Sequence, residues 1–277
     1  MDPLVELAPA LWAAARDTFK SSPHCLPAYY AMDMLIRFPD ICTTLGAKVY
    51  NVGGDSTDGV VITMDKGTRI ELIILIKDNT SNKIEQALVE SKRICKDKTI
   101  CVPWAMPNVM GMMGRISHSM GLFKFVEGPS SLHYIDKESK PYADVRCPAN
   151  TYTSALQLAH VDQIDEVWPH RYATSKSYFE LLIRNNLSYG LFADDHRLLA
   201  WTLISEVGFL NHLFCLEEFR NKGYAEFLIK FVVNDQLKQG RDVFCYIVDG
   251  NDKSLNLFKK LHFKHVTNVS WLFFKSL

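Results

Sequence analysis

The sequence predicts an α/β protein with a mixed sheet, arranged as two α/β halves joined near residue 145. Three observations carry this. The chain has 277 residues, enough at ordinary domain sizes for one large domain or two modest ones. Along its whole length, apolar runs of strand length alternate with stretches of helical spacing, and hairpins are mixed with strand–helix–strand order. The polar stretch Asp136-Lys137-Glu138-Ser139-Lys140-Pro141 breaks that alternation midway and reads as a loop or linker.

In the first half, Leu4 to Phe19 has helical spacing. Lys48–Val52, Val60–Thr63 and Ile70–Ile76 then read as three strands separated by Gly, Asp and Lys turns. A helix is predicted from about Lys83 to Cys95, with apolar Ile84, Ala87, Leu88 and Ile94. A further helix spans the Met-rich run Met106 to Met120, whose flexible thioethers suit core gaps. The second half is more regular. Two short helices, His160 to Trp168 and Ser175 to Asn185, precede the strands Leu187–Ala193 and Leu198–Ile204, which Asp194-Asp195-His196-Arg197 joins as a hairpin. A third strand, Phe209–Leu216, leads through a tight connection into an amphipathic helix, Gly223 to Lys238, which Gly240 stops. Strand Val243–Val248, helix Asp252–Leu261 and closing strand Val266–Phe274 complete the chain.

Composition narrows the function. Basic and acidic side chains balance at 31 each, which provides no electrostatic footprint for nucleic acid or an anionic membrane. No apolar run reaches the ~18 residues of a membrane helix. The acidic start, Met1 to Glu6, is unlike a signal or transit peptide, so a soluble cytoplasmic protein is expected, with a mitochondrial location left open. Seven scattered cysteines without a Cys-x-x-Cys pair or His partners at finger spacing read as reduced thiols, with no metal site.

The stretch that carries chemistry is Arg220-Asn221-Lys222-Gly223-Tyr224-Ala225, between a strand and a helix. A helix N-terminus presents unpaired backbone N–H groups and a partial positive charge, so a small-residue turn opening a helix suits a pyrophosphate. Gly223 permits close approach of the backbone, Ala225 keeps the first turn narrow, and Arg220 and Lys222 add charge. Neither a Walker loop nor a dinucleotide fingerprint is present. One strand later, Asn251-Asp252-Lys253-Ser254-Leu255-Asn256-Leu257-Phe258 opens the next helix, which should start at the same sheet edge.

Together the two stretches resemble the motifs of the acetyl-CoA-dependent N-acyltransferase (GNAT) superfamily over residues 150 to 277. A closer resemblance, to the glycine N-acyltransferase-like group and its insect relatives, rests on His160 to Arg171, Leu187 to Phe192, Ala200-Trp201 and Ser270-Trp271. It implies two tandem copies of one fold: a degenerate copy over 1–145 and an acyl-CoA-binding domain over 146–277. It also implies that a pantetheine arm pairs with the strand at Phe214 and Cys215. The pyrophosphate would lie on Arg220, Asn221, Lys222, Gly223, Tyr224 and Ala225, and Asn251 would touch the arm. The implied reaction is direct attack of a small amine or amino acid on the thioester of acetyl-CoA or another acyl-CoA, without metal, nucleic acid or membrane.

Two departures from the family pattern concern catalysis. Phe209 stands where the glycine acyltransferases carry a Glu base, and Phe258 stands where many members have a Tyr acid. His170, after Pro169, is a candidate base or substrate ligand. His212 has a suitable pKa but needs a bulge in its strand to reach the thioester. Glu166 and Glu206 read as solvated charges, and Cys215 as a small hydrophobe rather than an acyl carrier. Two alternatives remain: a CoA-binding protein without turnover, and an acyltransferase of protein N-termini or lysines.

Overall fold

The computed structural model describes residues 1–20, 22–54, 58–76 and 82–277. The chain divides into two compact units, Met1–Ser131 with Thr267–Leu277, and Leu132–Val266.

The first unit opens with β1 (Leu4–Glu6), α1 (Trp12–Asp17), α2 (Leu26–Arg37) and α3 (Pro39–Thr44). It continues with β2 (Lys48–Val52), β3 (Val60–Asp65), β4 (Arg69–Leu75), α4 (Asn82–Glu90), β5 (Thr99–Ala105), α5 (Pro107–Ile116) and the start of β6 (Leu122–Ile135). β1 to β4 are antiparallel neighbours, whereas β4 and β5 run parallel. That parallel pairing stops after Arg69↔Thr99, Ile70↔Ile100 and Glu71↔Cys101. The core collects Val61, Leu72, Ile84, Leu88, Met112 and Met113, so the Met-rich helix is indeed core filling. The helix expected over Leu4–Phe19 is shortened. Leu4–Glu6 instead pairs with Val52–Tyr50, because Pro9 cannot donate to a helical ladder and the edge of β2 offers bonds. Helices α2 and α3 and strands β5, β6 and, in the second unit, Thr151–Ser154 are additions that the pattern did not reveal.

The second unit contains the rest of β6, then β7 (Thr151–Ser154), α6 (Val161–Glu166), α7 (Ser175–Arg184), β8 (Ser188–Ala193), β9 (Leu198–Ile204) and β10 (Leu210–Cys215). Next come α8 (Tyr224–Lys238), β11 (Val243–Val248), α9 (Asp252–Lys260) and the start of β12 (Lys264–Ser276). Within it the strand order is β6-β11-β10-β9-β8-β7. All pairs from β7 to β10 are antiparallel, and β10 and β11 are parallel because α8 carries the chain back across the sheet. The polar stretch Asp136–Pro141 is a loop of this unit. Lys137 N donates to Asp242 Oδ1 (2.9 Å), Tyr142 N donates to Asn234 Oδ1 (2.8 Å), and Tyr142 Oη donates to the Leu261 carbonyl. The end of β12 lies on β5, pairing Leu272 with Val102 and Phe274 with Ile100.

Candidate functional site

Strand β10 is regular for only two residues. Leu210 pairs with Ile204 of β9 and Cys245 of β11, and Asn211 pairs with Leu203. The register then slips before Phe214↔Trp201 and Cys215↔Ala200. His212, at φ 51°, lies in this bulge in a left-handed conformation that costs a residue with a Cβ on the order of 1–2 kcal/mol. Towards β11, Leu210↔Cys245 is the only pair among the described residues. Past it the two parallel strands part, and the half-buried β10 edge from Asn211 to Cys215 has no ladder partners from β11 among the described residues.

The chain leaves β10 through Glu217–Phe219 and reaches the turn. Asn221 (φ 63°) and Gly223 (φ 79°) are both left-handed. Gly223 caps α8 without a side-chain bond, and the first helical bond runs from Phe227 N to the Gly223 carbonyl. The N–H groups of Tyr224, Ala225 and Glu226 therefore lie at the open helix end. Arg220, Asn221, Lys222 and Gly223 are exposed, while Tyr224 and Ala225 are half-buried. Arg220 Nη1 donates to Glu217 (2.9 Å), its Nε donates to the Cys215 carbonyl (3.1 Å), and its guanidinium lies over Phe214. Lys222 Nζ sits 4.9 Å above the Phe219 ring, which stacks on Tyr224. Glu226 brings an unwelcome negative charge to this end. Its bonds from Lys230 (2.8 Å) and Lys260 (2.6 Å) neutralise that charge and hold the carboxyl below its ordinary range.

Because β10 and β11 are parallel, the connections after both strands lie at the same sheet edge. Asn251 starts α9 there, its Oδ1 accepting from Ser254 N at 3.1 Å. The sequence thus brings Phe214, Cys215, the turn 220–225 and Asn251 to one edge. Cys215 is half-buried, and burial pushes its thiol up, away from nucleophilic thiolate.

The two candidate histidines sit in different surroundings. His212 does sit in a bulge, but its Nε2–H donates to the Ile164 carbonyl (2.8 Å) and its ring packs among Trp168, Phe179 and Trp201. Burial pushes its pKa down to about 4, so the ring is neutral packing at pH 7. His170 is exposed, with its ring edge-on to Trp168. Phe209 packs against Tyr246 and Phe244, and buried Phe258 packs against Phe263. Glu166 is exposed as expected, but Glu206 is not: it is only 4% accessible. Tyr178 Oη donates to Glu206 Oε2 at 2.7 Å and accepts from Asn211 Nδ2 at 3.2 Å. The β9–β10 connection tucks the carboxylate inward because Ser205 Oγ accepts from both Val207 N and Phe209 N. A charge beside Gly208 reads locally as a turn, so only the tyrosine on α7, 28 residues upstream in sequence, reveals its burial.

Among the described residues, no cluster of His, Cys, Asp or Glu could hold a metal ion, and no helix is long and apolar enough to cross a membrane. A family model described as FR47-like protein matches residues 188–272, and no curated protein matches the chain. A Drosophila protein of known structure superposes with a TM-score of 0.83 at 15% identity, covering 99% of this chain and 98% of its own. A tandem GNAT protein from the clavulanic acid biosynthesis pathway gives 0.61 at 16% identity, with 98% and 97% covered. For a GCN5-related N-acetyltransferase from Sphaerobacter thermophilus the values are 0.58, 11%, 99% and 96%. At these identities the likeness is one of architecture: the chain has the mixed α/β fold of the GCN5-related N-acetyltransferases over its full length.

Proposed function

We propose that the chain is an acyl-CoA-dependent N-acyltransferase that acylates the amine of a small molecule or amino acid, in the manner of the glycine N-acyltransferase-like group. The observation that carries the reading is the parting of β10 from β11 just ahead of an uncapped helix N-terminus. The residues fit acyl-CoA. An extended amide-bearing arm can pair with the β10 edge that β11 leaves, and a pyrophosphate can take the N–H groups of residues 224–226, with Lys222 beside them. Arg220 reaches the same anion by exchanging Glu217 for it, which also releases the Cys215 carbonyl to an amide donor. Bound acyl-CoA supplies the thioester carbonyl. The chain's own part is to align that carbonyl along β10, to hold the anionic end at Gly223, and to accept a proton from the amine. His170 serves as a contact for the acceptor and His212 as packing. The first unit is read as a degenerate copy of the fold, since its antiparallel β3–β4 pair and briefly parallel β4–β5 pair repeat the order β9–β10–β11. In this reading the partners are the CoA thioester and an amine, with no nucleic acid or membrane, and the location is cytoplasmic or mitochondrial.

Calorimetry with CoA, followed by thiol release over a panel of amines and amino acids, tests the proposal. Absence of CoA binding sinks it. Phe209 and Phe258 favour a second reading, a CoA-binding protein without turnover, which any productive acceptor dismisses.

A further inference from the structure

We propose that Tyr178 takes the proton from the attacking amine and passes its own to Glu206, while Asn211 fixes the phenol; this assignment rests on the acyltransfer reading above. The three side chains come from α7, the β9–β10 connection and β10, and form one hydrogen-bonded line: Asn211 Nδ2 to Tyr178 Oη (3.2 Å), then Tyr178 Oη to Glu206 Oε2 (2.7 Å). The line starts where it is needed. Asn211 is the first residue of β10 beyond the last pairing with β11, at the start of the strand edge along which the thioester would lie. It ends on a carboxylate 4% accessible, in a connection where a solvated side chain would ordinarily suffice. Taking a carboxylate out of water is costly, and the phenol bond contributes to offsetting it here.

A phenol that donates to a carboxylate is polarised toward phenolate and accepts best from a group that must lose a proton. In the transfer step the amine nitrogen bonds to the acyl carbon and the carbon–sulfur bond breaks, its electron pair leaving with the thiolate. The surplus proton on nitrogen moves to Tyr178 Oη as the phenol proton moves to the Glu206 carboxylate, which later releases it to solvent. Tyr178 meets the acceptor; Glu206 acts through it, and Asn211 is a positioning residue. The line also gives the chain a base where Phe209 supplies none.

The test uses the full chain, Glu206→Gln and Tyr178→Phe, with calorimetry for CoA and steady-state thiol release for the best amine of the panel. Both variants keep the bulk of the parent, and retained CoA affinity reports an intact fold. The expected result is a CoA Kd and amine KM within threefold of the parent with kcat lower by about 100-fold or more in each. A kcat loss below tenfold in either variant, or one matched by a loss of CoA affinity, overturns the relay while leaving acyl transfer intact. A parent that binds CoA and acylates nothing overturns the transfer reading itself.

Discussion

Gly223 is required by backbone geometry rather than by space. Its φ of 79° lies where side chains with a Cβ are strained, although an added Cβ would meet nothing within 4 Å. Gly223→Val should therefore leave the rest of the fold intact and distort the turn by forcing φ negative. CoA affinity is expected to fall at least tenfold by calorimetry, and an unchanged affinity would remove the anion from this turn. At the same scale, two desolvated histidines, buried His133 and half-buried His212, predict a pH dependence. Burial lowers His212 and His133 from 6.5 to about 4, His133 also through the neighbouring His265 charge. Between those values the unfolded chain binds protons that the folded chain refuses, so stability is complete above pH 6.5 and falls as pH drops toward 4. Each histidine contributes a slope of about 1.4 kcal/mol per pH unit in that window. Urea denaturation from pH 7 to 5 should show the decline, and His212→Gln should remove one proton's share of the slope.

At the scale of elements, one side chain can both cap a helix and face the proposed site. Asn251 caps α9 through its Oδ1, and in the proposed site its amide also meets the pantetheine arm. Asn251→Ala should lower stability by about 1 kcal/mol in chemical denaturation. Asn251→Asp keeps the cap but replaces the NH₂ donor with charge, so it should retain stability and weaken CoA binding; equal affinity would confine Asn251 to capping. Local sequence specified much at this scale. Leu198–Ile204 and Val243–Val248 form as read, because uninterrupted apolar runs bounded by turn residues have one good solution. Helix α2 was illegible because nine of its twelve residues, Asp33 included, are buried, which leaves no one-sided stripe to read. β5 was obscured by Pro103, and β6 by Gly128-Pro129, residues that argue against a strand until its neighbours are known.

For the whole molecule, the last residues matter far from their place in sequence. Thr267–Leu277 belongs to the first unit, where Leu272 and Phe274 are buried in the core and Trp271 lies edge-on to Trp104. Ending the chain after Val266 removes three buried apolar side chains, Val269, Leu272 and Phe274, each worth about 3 kcal/mol, and leaves β5 an open edge. A loss of that size approaches the stability of a whole domain. The truncated chain should lose amide-exchange protection in β5 and a cooperative melting transition for the first unit; retained protection would refute that role.

The sequence by itself determined the α/β class, the order of elements from α6 to β12, and the turn Arg220–Ala225 opening its helix, because periodicity, turn residues and caps act over a few neighbouring positions. Tertiary structure decided the rest. It parted β10 from β11 after a single pair, placed the bulge at His212 yet turned that ring into packing, and enclosed Glu206 against Tyr178 and Asn211. Strand divergence and the burial of a charge are set by side chains arriving from distant parts of the chain, and no local pattern encodes where those will meet.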